Sequence, residues 1–234
     1  CSFCDNAAFH PSYSTAGKSI AAQIDEGIEF HQVRYRNTRH YLAYFQSYSN
    51  TYAPLPRLKA LYLEALSHPH IVGIVIGTRP DCIDEEKLDW LAELKAGRAL
   101  PDWRRDGFGS PVVKVEYGIE SCYDATLLRV GRGHDVAAAE RAVRLSAERG
   151  LDPGAHFILG LPGESRSMLV DQCSFISSLP LHSVKFHQLQ LVKGTRIEKE
   201  FADVPQDFLR LDLPDYLDLI VDILERLRPD LYIE

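Results

Sequence analysis

The first residues of the sequence that could do chemistry are two cysteines, in CSFC at residues 1–4. Cysteine thiolates bind zinc and iron–sulfur clusters, and two of them at this spacing can reach one metal centre. Two ligands rarely hold a metal alone, so CSFC calls for further ligands. The chain has five cysteines, an odd number that does not resemble a disulfide framework. We therefore expect a reducing, cytoplasmic environment.

Three kinds of site could use CSFC. A thioredoxin-type redox pair stands at the start of a helix, whereas DNAAFHPSYS, which follows Cys4, has an early proline and no convincing helical pattern. A structural zinc site needs four ligands, but there is no second C-x-x-C or H-x-x-x-H pair, and Cys82 and Cys122 fall in separate loops. An iron–sulfur cluster with one open iron needs only three thiolates, and a fragment beginning at the second would show this pair. A non-catalytic zinc or thiol-redox βα module remains the alternative.

Composition limits the class of protein. The chain has 234 residues, of which 45% are hydrophobic and 25% charged, as in ordinary globular proteins. Its formal charge of -7 argues against a protein that binds nucleic acid through its overall electrostatic potential, although a local basic patch remains possible. No apolar run approaches the ~20 residues of a membrane span, so we expect no membrane partner.

The elements that must position these cysteines alternate between strands and helices. Apolar, nearly continuous runs predict parallel strands at residues 41–47, 71–77, 112–120, 154–161 and 183–191. Helical periodicity follows Asp135, and a further helix over residues 165–179 puts Cys173 in the core. An acidic helix near the end is expected to turn these residues inward: Tyr216, Leu217, Ile220, Ile223, Leu224 and Leu227. Right-handed βα units leave either an open doubly wound sheet or a barrel.

Polar residues gather where the predicted strands end. In both architectures function collects at the carboxyl ends of the strands, so these residues are expected to share one rim. The rim residues are Gln46, Ser47, Ser49, Asn50, Arg79, Asp81, Glu120, Ser121, Glu164, His187, Gln188 and Lys193. They could bind a polar ligand at several points, although polar residues end strands in many proteins.

Several motifs, in this order and spacing, resemble radical S-adenosylmethionine (SAM) enzymes. CSFC has the C-x-aromatic-C form that closes their cysteine motif, YGIES with LLRVGRGHD resembles their fourth-strand signature, and HFILGLPGE resembles their adenine-binding segment. FQSYSNTYAPL, VIGTRPDC and KFHQLQLVKGT add a likeness to the YhcC-like group, related to the Elongator catalytic subunit and oxygen-independent coproporphyrinogen oxidase. The resemblance covers residues 1–234, read as one radical SAM core domain. It implies a partial (βα)6 TIM-like barrel, here a fragment lacking its first strand and a C-terminal extension.

The resemblance also implies cofactors and ligands. Cys1 and Cys4 would hold two irons of a [4Fe-4S] cluster and an upstream cysteine a third, while the unique iron binds SAM. Reductive cleavage of SAM would then give a 5'-deoxyadenosyl radical, in an oxygen-sensitive enzyme. Partners would be SAM, a reductase or flavodoxin-like electron donor, and an unidentified substrate, either a small molecule, a protein or an RNA.

The resemblance assigns SAM-binding roles to named residues. Phe3 would pack near the adenine or the cluster, and Gln46 and Ser47 would hold the methionine amino group, although the usual G-G-E motif is missing there. Glu120 and Ser121 would reach the ribose or amino group. The remaining assignments are Arg132 for the methionine carboxylate, Gly160 and Gly163 for backbone approach to adenine, Ile158 or Leu161 for an apolar surface, and no fixed role for His156. His187 and Leu189 face one side of a strand and Gln188 and Gln190 the other, with one pair pointing into the barrel.

Overall fold

The computed structural model describes residues 1–5, 11–15, 17–101 and 109–234. Within these ranges six parallel strands form one sheet in chain order. The strands are β1 (Tyr41–Phe45), β2 (Ile71–Thr78), β3 (Val112–Glu120), β4 (Asp152–Leu159), β5 (Ser183–Gln188) and β6 (Tyr232–Ile233). In the described part of the chain, β1 pairs only with β2 and β6 only with β5, so the sheet is open. The architecture is the expected partial barrel.

One helix precedes β1, and the others lie between successive strands and return the chain to the next parallel strand. The helices are α1 (Ile20–Gln32), α2 (Leu55–Ser67), α3 (Glu85–Lys95), α4 (Asp124–Arg129), α5 (Val136–Glu148), α6 (Arg166–Ser178), α7 (Arg196–Asp203) and α8 (Leu213–Leu224). Asp135 begins α5 as expected, because its side chain accepts a hydrogen bond from the Ala138 amide. Ser165 begins α6 in the same way through the Met168 amide. No helix in the described ranges combines the length and apolar character needed to cross a membrane.

All five predicted strands are present, but three end earlier than expected. β1, β4 and β5 stop two or three residues before the predicted ends, because periodicity does not show where the backbone leaves the sheet. Gly160, directly after β4, has a φ of 92°, which turns the chain out of the strand. β6 adds a short sixth strand on β5. The strand expected before Cys1 stays a prediction.

The two faces of the sheet differ in chemistry. The face toward the helices is apolar and fully buried, with a core that includes Ile74, Ile76, Val115, Phe157 and Val184. Cys173 packs into this core from α6, as predicted. The opposite, concave face alternates with it along each strand and carries polar side chains. Because barrel interiors are ordinarily filled by branched apolar residues, this polar inner face marks a functional surface.

The inward face of α8 differs from the prediction. Leu217 and Leu224 are 53% and 42% exposed, whereas Leu219, which the prediction left out, is fully buried. The predicted face was wrong at these positions because α8 carries apolar residues on several sides, and the sequence does not show which stripe of about 100° packs against the core. Tyr216 and Ile220 border the core, and Ile223 is buried within it, as predicted.

Candidate functional site

Arg132 is the centre of the carboxyl edge of the sheet. Its side chain is 8% exposed, and its Nη1 donates to Cys1 Sγ at 3.3 Å. Its Nη2 donates to the Gly118 carbonyl oxygen at 2.5 Å and lies 3.3 Å from Glu120 Oε1. The structure therefore brings a predicted metal ligand from the start of the chain together with two predicted SAM-binding residues that flank α4.

Local backbone structure explains why Arg132 points inward. Gly131 and Gly133 on either side of it have positive φ values of 62° and 85°, which reverse the chain after α4. The amide of Ser2 donates to the Val130 carbonyl at 2.8 Å, and the Ile197 amide donates to the Ser2 carbonyl at 3.1 Å. These bonds tie the cysteine segment to the end of α4 and the start of α7, so Cys1 is held beside the guanidinium.

Glu120 is aimed inward by an irregular strand end. It is a non-glycine residue with a φ of 72°, and the pairing of β3 with β4 shifts between Gly118 and Glu120. Such backbone strain is typical of functional sites. Burial raises the pKa of Glu120, while the nearby charges of Arg132 and His156 act in the opposite direction. Burial in turn lowers the pKa of Arg132, which Glu120 offsets.

Ser121 and Glu164 form a buried pair beside this site. Ser121 Oγ donates to Glu164 Oε1 at 2.5 Å, and both side chains are almost fully buried. Burial raises the pKa of Glu164 to about 7, against the smaller lowering effect of its hydrogen bonds with Ser121 and Thr126. The Ser121 hydroxyl is thus engaged within the protein, and Glu120 is the more accessible of the two predicted ligand contacts.

The predicted adenine-binding segment borders a cavity lined by both apolar and polar residues. Ile158 is partly exposed on the inner face, whereas Leu161 is fully buried, so Ile158 is the residue that offers a surface to a ligand. Gly160 borders a cavity of about 340 Å³, a size typical of ligand sites, together with Leu189, Leu209 and Tyr216. A methyl group on Gly160 would stand 3.9 Å from the Leu189 Cβ.

The remaining predicted residues are exposed or half-buried. Gln46 is exposed and Ser47 half-buried, directly after β1. Phe3 is half-buried between Cys1 and Cys4, both of which are exposed. All five cysteines are within the described residues, and none forms a disulfide.

Part of the polar rim is structural. The Asn50 amide nitrogen donates to the carbonyls of Phe45 and Gly77, each at 2.8 Å, and so ties β1 to β2. Arg79 is paired with Asp81 two residues on.

Sequence reasoning missed a second set of side chains deeper on the inner face. Glu116 Oε2 accepts from Tyr44 at 2.5 Å, from His156 at 2.8 Å and from Lys185 at 3.4 Å. Burial raises the pKa of Glu116, but the combined effect of these donors is larger and lowers the pKa to about 2. His187 stands beside His156, with ring centroids 5.2 Å apart, so His187 faces the barrel. Leu189 lies beyond the end of β5. Lys114 and Glu116 alternate within VVKVEYGIE, a charge pattern that could have signalled this face.

Comparison with known proteins decides the family. The profile described as "Radical SAM superfamily" matches residues 1–176, about three quarters of the chain. The chain belongs to the radical SAM superfamily. Members of this superfamily bind a [4Fe-4S] cluster and SAM, as the cysteine motif implied.

Two relatives place the chain in the YhcC-like group of radical SAM proteins. Protein YhcC of Escherichia coli is 35% identical over 200 residues, covering 85% of this chain and 59% of YhcC. The protein MJ0486 of Methanocaldococcus jannaschii is 33% identical over 222 residues, covering 95% of this chain and 64% of MJ0486. The chain therefore spans about three fifths of the length of these relatives.

The fold is also that of a solved radical SAM structure. Elp3 from the archaeon Methanocaldococcus infernus superposes with a TM-score of 0.75 over 92% of this chain and 52% of Elp3, at 17% identity. At that identity the likeness concerns the fold alone, and it agrees with the open parallel sheet described above.

The residues present fit the cofactors of the radical SAM superfamily. Cys1 and Cys4 supply two thiols at the edge where Arg132 donates to sulfur. Ser2, between them in sequence, has a buried hydroxyl without a hydrogen-bond partner among the described residues, so it is a spare donor beside the thiols. No set of three or more His, Cys, Asp or Glu in those residues could hold a metal, and the third, upstream cysteine stays a prediction.

Proposed function

We propose that residues 1–234 form the core domain of a radical SAM enzyme that reductively cleaves SAM to generate a 5'-deoxyadenosyl radical. The observation that carries this proposal is the contact of Arg132 with both Cys1 and Glu120. It supports a site in which the Cys1 thiolate lies beside a charged pair, Arg132 and Glu120, that could bind the amino acid end of SAM.

The charges of the pair match the methionine end of SAM. That end carries a carboxylate and an ammonium group, and Arg132 and Glu120 present the opposite charges about 3.3 Å apart. A guanidinium pairs well with a carboxylate because two N–H groups can donate in parallel. Since both side chains are largely buried, these charge-assisted hydrogen bonds are stronger than exposed ones.

Other residues would position the nucleoside and exclude water. Ile158 and the backbone at Gly160 offer adenine an apolar surface beside the cavity, with Phe3 on the cysteine side. Gln46 and Ser47 would complete the site from β1. When bound, the reduced cluster supplies the electron that breaks the sulfonium bond of SAM.

The partners and setting belong to the same proposal. We propose a reductase or flavodoxin-like protein as the electron donor and a cytoplasmic, oxygen-sensitive enzyme. The substrate of the radical would be a small molecule, a protein or an RNA.

Anaerobic reconstitution with iron and sulfide tests the proposal. The full-length protein should gain the visible absorption of an iron–sulfur cluster and release 5'-deoxyadenosine when reduced in the presence of SAM. Cys4→Ser should lose both signals. Cys173→Ala is the matched control, because Cys173 is 1% exposed in the core and should keep both.

The same experiment separates the alternative of a zinc or thiol-redox module. Such a module would bind zinc or form a disulfide through Cys1 and Cys4, and it would release no 5'-deoxyadenosine. In the structure the first described helix after Cys4 begins at Ile20, so a helix-terminal redox pair gains no support. Residues 6–10 of the intervening segment lie outside the described residues.

A further inference from the structure

Glycines on the inner face of the sheet let neighbouring groups pack closely against the strands. In the strand pairing, Glu116 has Gly77 on one side and Gly154 on the other, and Gly118 follows it on the same face. A methyl group on Gly154 would stand 3.1 Å from the Glu116 Cγ and 2.9 Å from the Ser183 Oγ. The floor of the barrel therefore consists of three glycines around the buried carboxylate of Glu116.

Seven polar residues surround that floor, and we call them the inner-face cluster. They are Tyr44, Lys114, Glu116, His156, Lys185, His187 and Glu234. They come from β1, β3, β4, β5 and the residue after β6, so five segments converge on one surface. Glu116 is the one of the seven that is almost fully buried, and burying its charge is costly unless donors satisfy it.

Both carboxylates of the inner-face cluster are already neutralised within it. Glu116 accepts from three donors, and Glu234 lies 2.8 Å from Lys114 and 3.5 Å from Lys185. The carboxylates thus have little capacity left for a ligand. Lys185, with three ammonium hydrogens, is shared between both carboxylates and the Tyr44 ring at 5.4 Å.

The groups of the inner-face cluster that could still bind a ligand are hydrogen-bond donors and cations. The exposed ring of His187 lies against His156, and no hydrogen bond to it occurs in the described residues. Burial and the charges of His156 and Lys185 lower the pKa of His187, while Glu116 acts in the opposite direction. The ring of His187 can therefore form hydrogen bonds with a ligand held beside Lys185.

The cluster lies below the candidate SAM site at a distance suited to a small molecule. Glu116 precedes Glu120 by four residues, about 13 Å along the strand. His156 pairs with Gly118 between them, and its charge acts on Glu120. A molecule held over Gly118 would therefore contact the inner-face cluster and reach the SAM site.

We propose that the inner-face cluster is the substrate site and that it binds a small molecule through a carboxylate or phosphate group, held by Lys185 and His187. Glu116 is a positioning residue, which fixes His156 and Lys185 by its hydrogen bonds. The inference rests on the proposed function, since it places a substrate for the radical. It favours a small molecule over a protein or an RNA, because the binding groups lie inside the barrel.

Histidine NMR of the anaerobically reconstituted, oxidised protein tests the proposal without turnover. The ring signals of His187 and His156 are assigned with the Asn variants. Inorganic phosphate and acetate are titrated separately against chloride at constant ionic strength and near-neutral pH. We expect saturable shifts of both rings with at least one anion, and the stronger response tells phosphate from carboxylate. Lys185→Met should weaken the apparent affinity by at least about tenfold.

Controls separate this site from the rest of the protein. Lys199→Met, an exposed lysine on α7, should leave the anion titration unchanged. Lys185→Met should bind SAM with wild-type affinity in equilibrium dialysis. If Lys185→Met does not fold, His187→Asn takes its place, with the shift of His156 as the readout.

Two outcomes overturn the inference. One is a linear, non-saturating shift with both anions, and the other is a saturable shift that Lys185→Met leaves intact. If SAM binds while the anion titration is flat, only the substrate site is wrong. If the reconstituted protein binds no SAM, the proposed function itself fails, whatever the anions do.

Discussion

Gly118 lies on the inner face of β3, directly against the charges that we assign to SAM. A methyl group there would stand 2.5 Å from both Arg132 Nη2 and Glu120 Oε1, whereas ordinary contact begins at 3.4 Å. In Gly118→Ala each charged group must therefore withdraw by about 0.9 Å. Because both are ends of side chains, they can move without breaking the sheet.

The expected effect is a loss of SAM affinity with little loss of stability. Displacing one charge-assisted hydrogen bond to SAM costs about 1.5–3 kcal/mol, which corresponds to a fall in affinity of about 10- to 100-fold. Stability changes by less: the weakened bond from Arg132 to the Gly118 carbonyl costs about 1 kcal/mol. Replacing a strand glycine by alanine returns roughly 0.5–1 kcal/mol.

Equilibrium dialysis with SAM and thermal unfolding, both on reconstituted protein, measure the two quantities. Gly154→Ala is the matched control, since it adds the same methyl to the same face on β4, away from Arg132 and Glu120. It should bind SAM within about twofold of wild type. Wild-type SAM affinity in a folded Gly118→Ala protein would refute the assignment of Arg132 and Glu120 to SAM.

Three further predictions concern stability, each read from urea unfolding. The pKa of Glu164 is about 7 in the folded protein against 4.5 ordinarily. The contribution of Glu164 to the free energy of unfolding is therefore full below pH 4.5 and falls by about 3 kcal/mol as the pH rises to 7. Glu164→Gln should flatten this dependence of the free energy of unfolding on pH, and an unchanged slope would contradict the prediction. Tyr117 and Ser146 share a buried hydrogen bond of 2.7 Å, so Ser146→Ala, which strands the Tyr117 hydroxyl, should cost about 1–3 kcal/mol and Tyr117→Phe about 1 kcal/mol. Leu219→Ala should cost about 2–5 kcal/mol and Leu217→Ala less than about 0.5 kcal/mol; equal losses would argue against the observed face of α8.

The sequence was sufficient for five of the strands and for the family. Strands such as residues 112–120 could be predicted because long apolar runs bounded by polar residues have few other structures open to them. The start of α5 at Asp135 was readable because a capping side chain acts on an amide three residues away. The cysteine motif was readable because its ligands are close in sequence.

Only the tertiary structure decided which distant residues act together. The contact of Arg132 with Cys1 joins positions 131 residues apart, and it depends on the turn after α4 and on the bonds of Ser2. The orientation of His187 depended on which face of the sheet the helices cover, which periodicity alone leaves open. The inner-face cluster likewise arises from five segments, none of which carries a motif for it. Local patterns act over a few residues, whereas a site on the inner face is made by the pairing of strands that are distant in sequence.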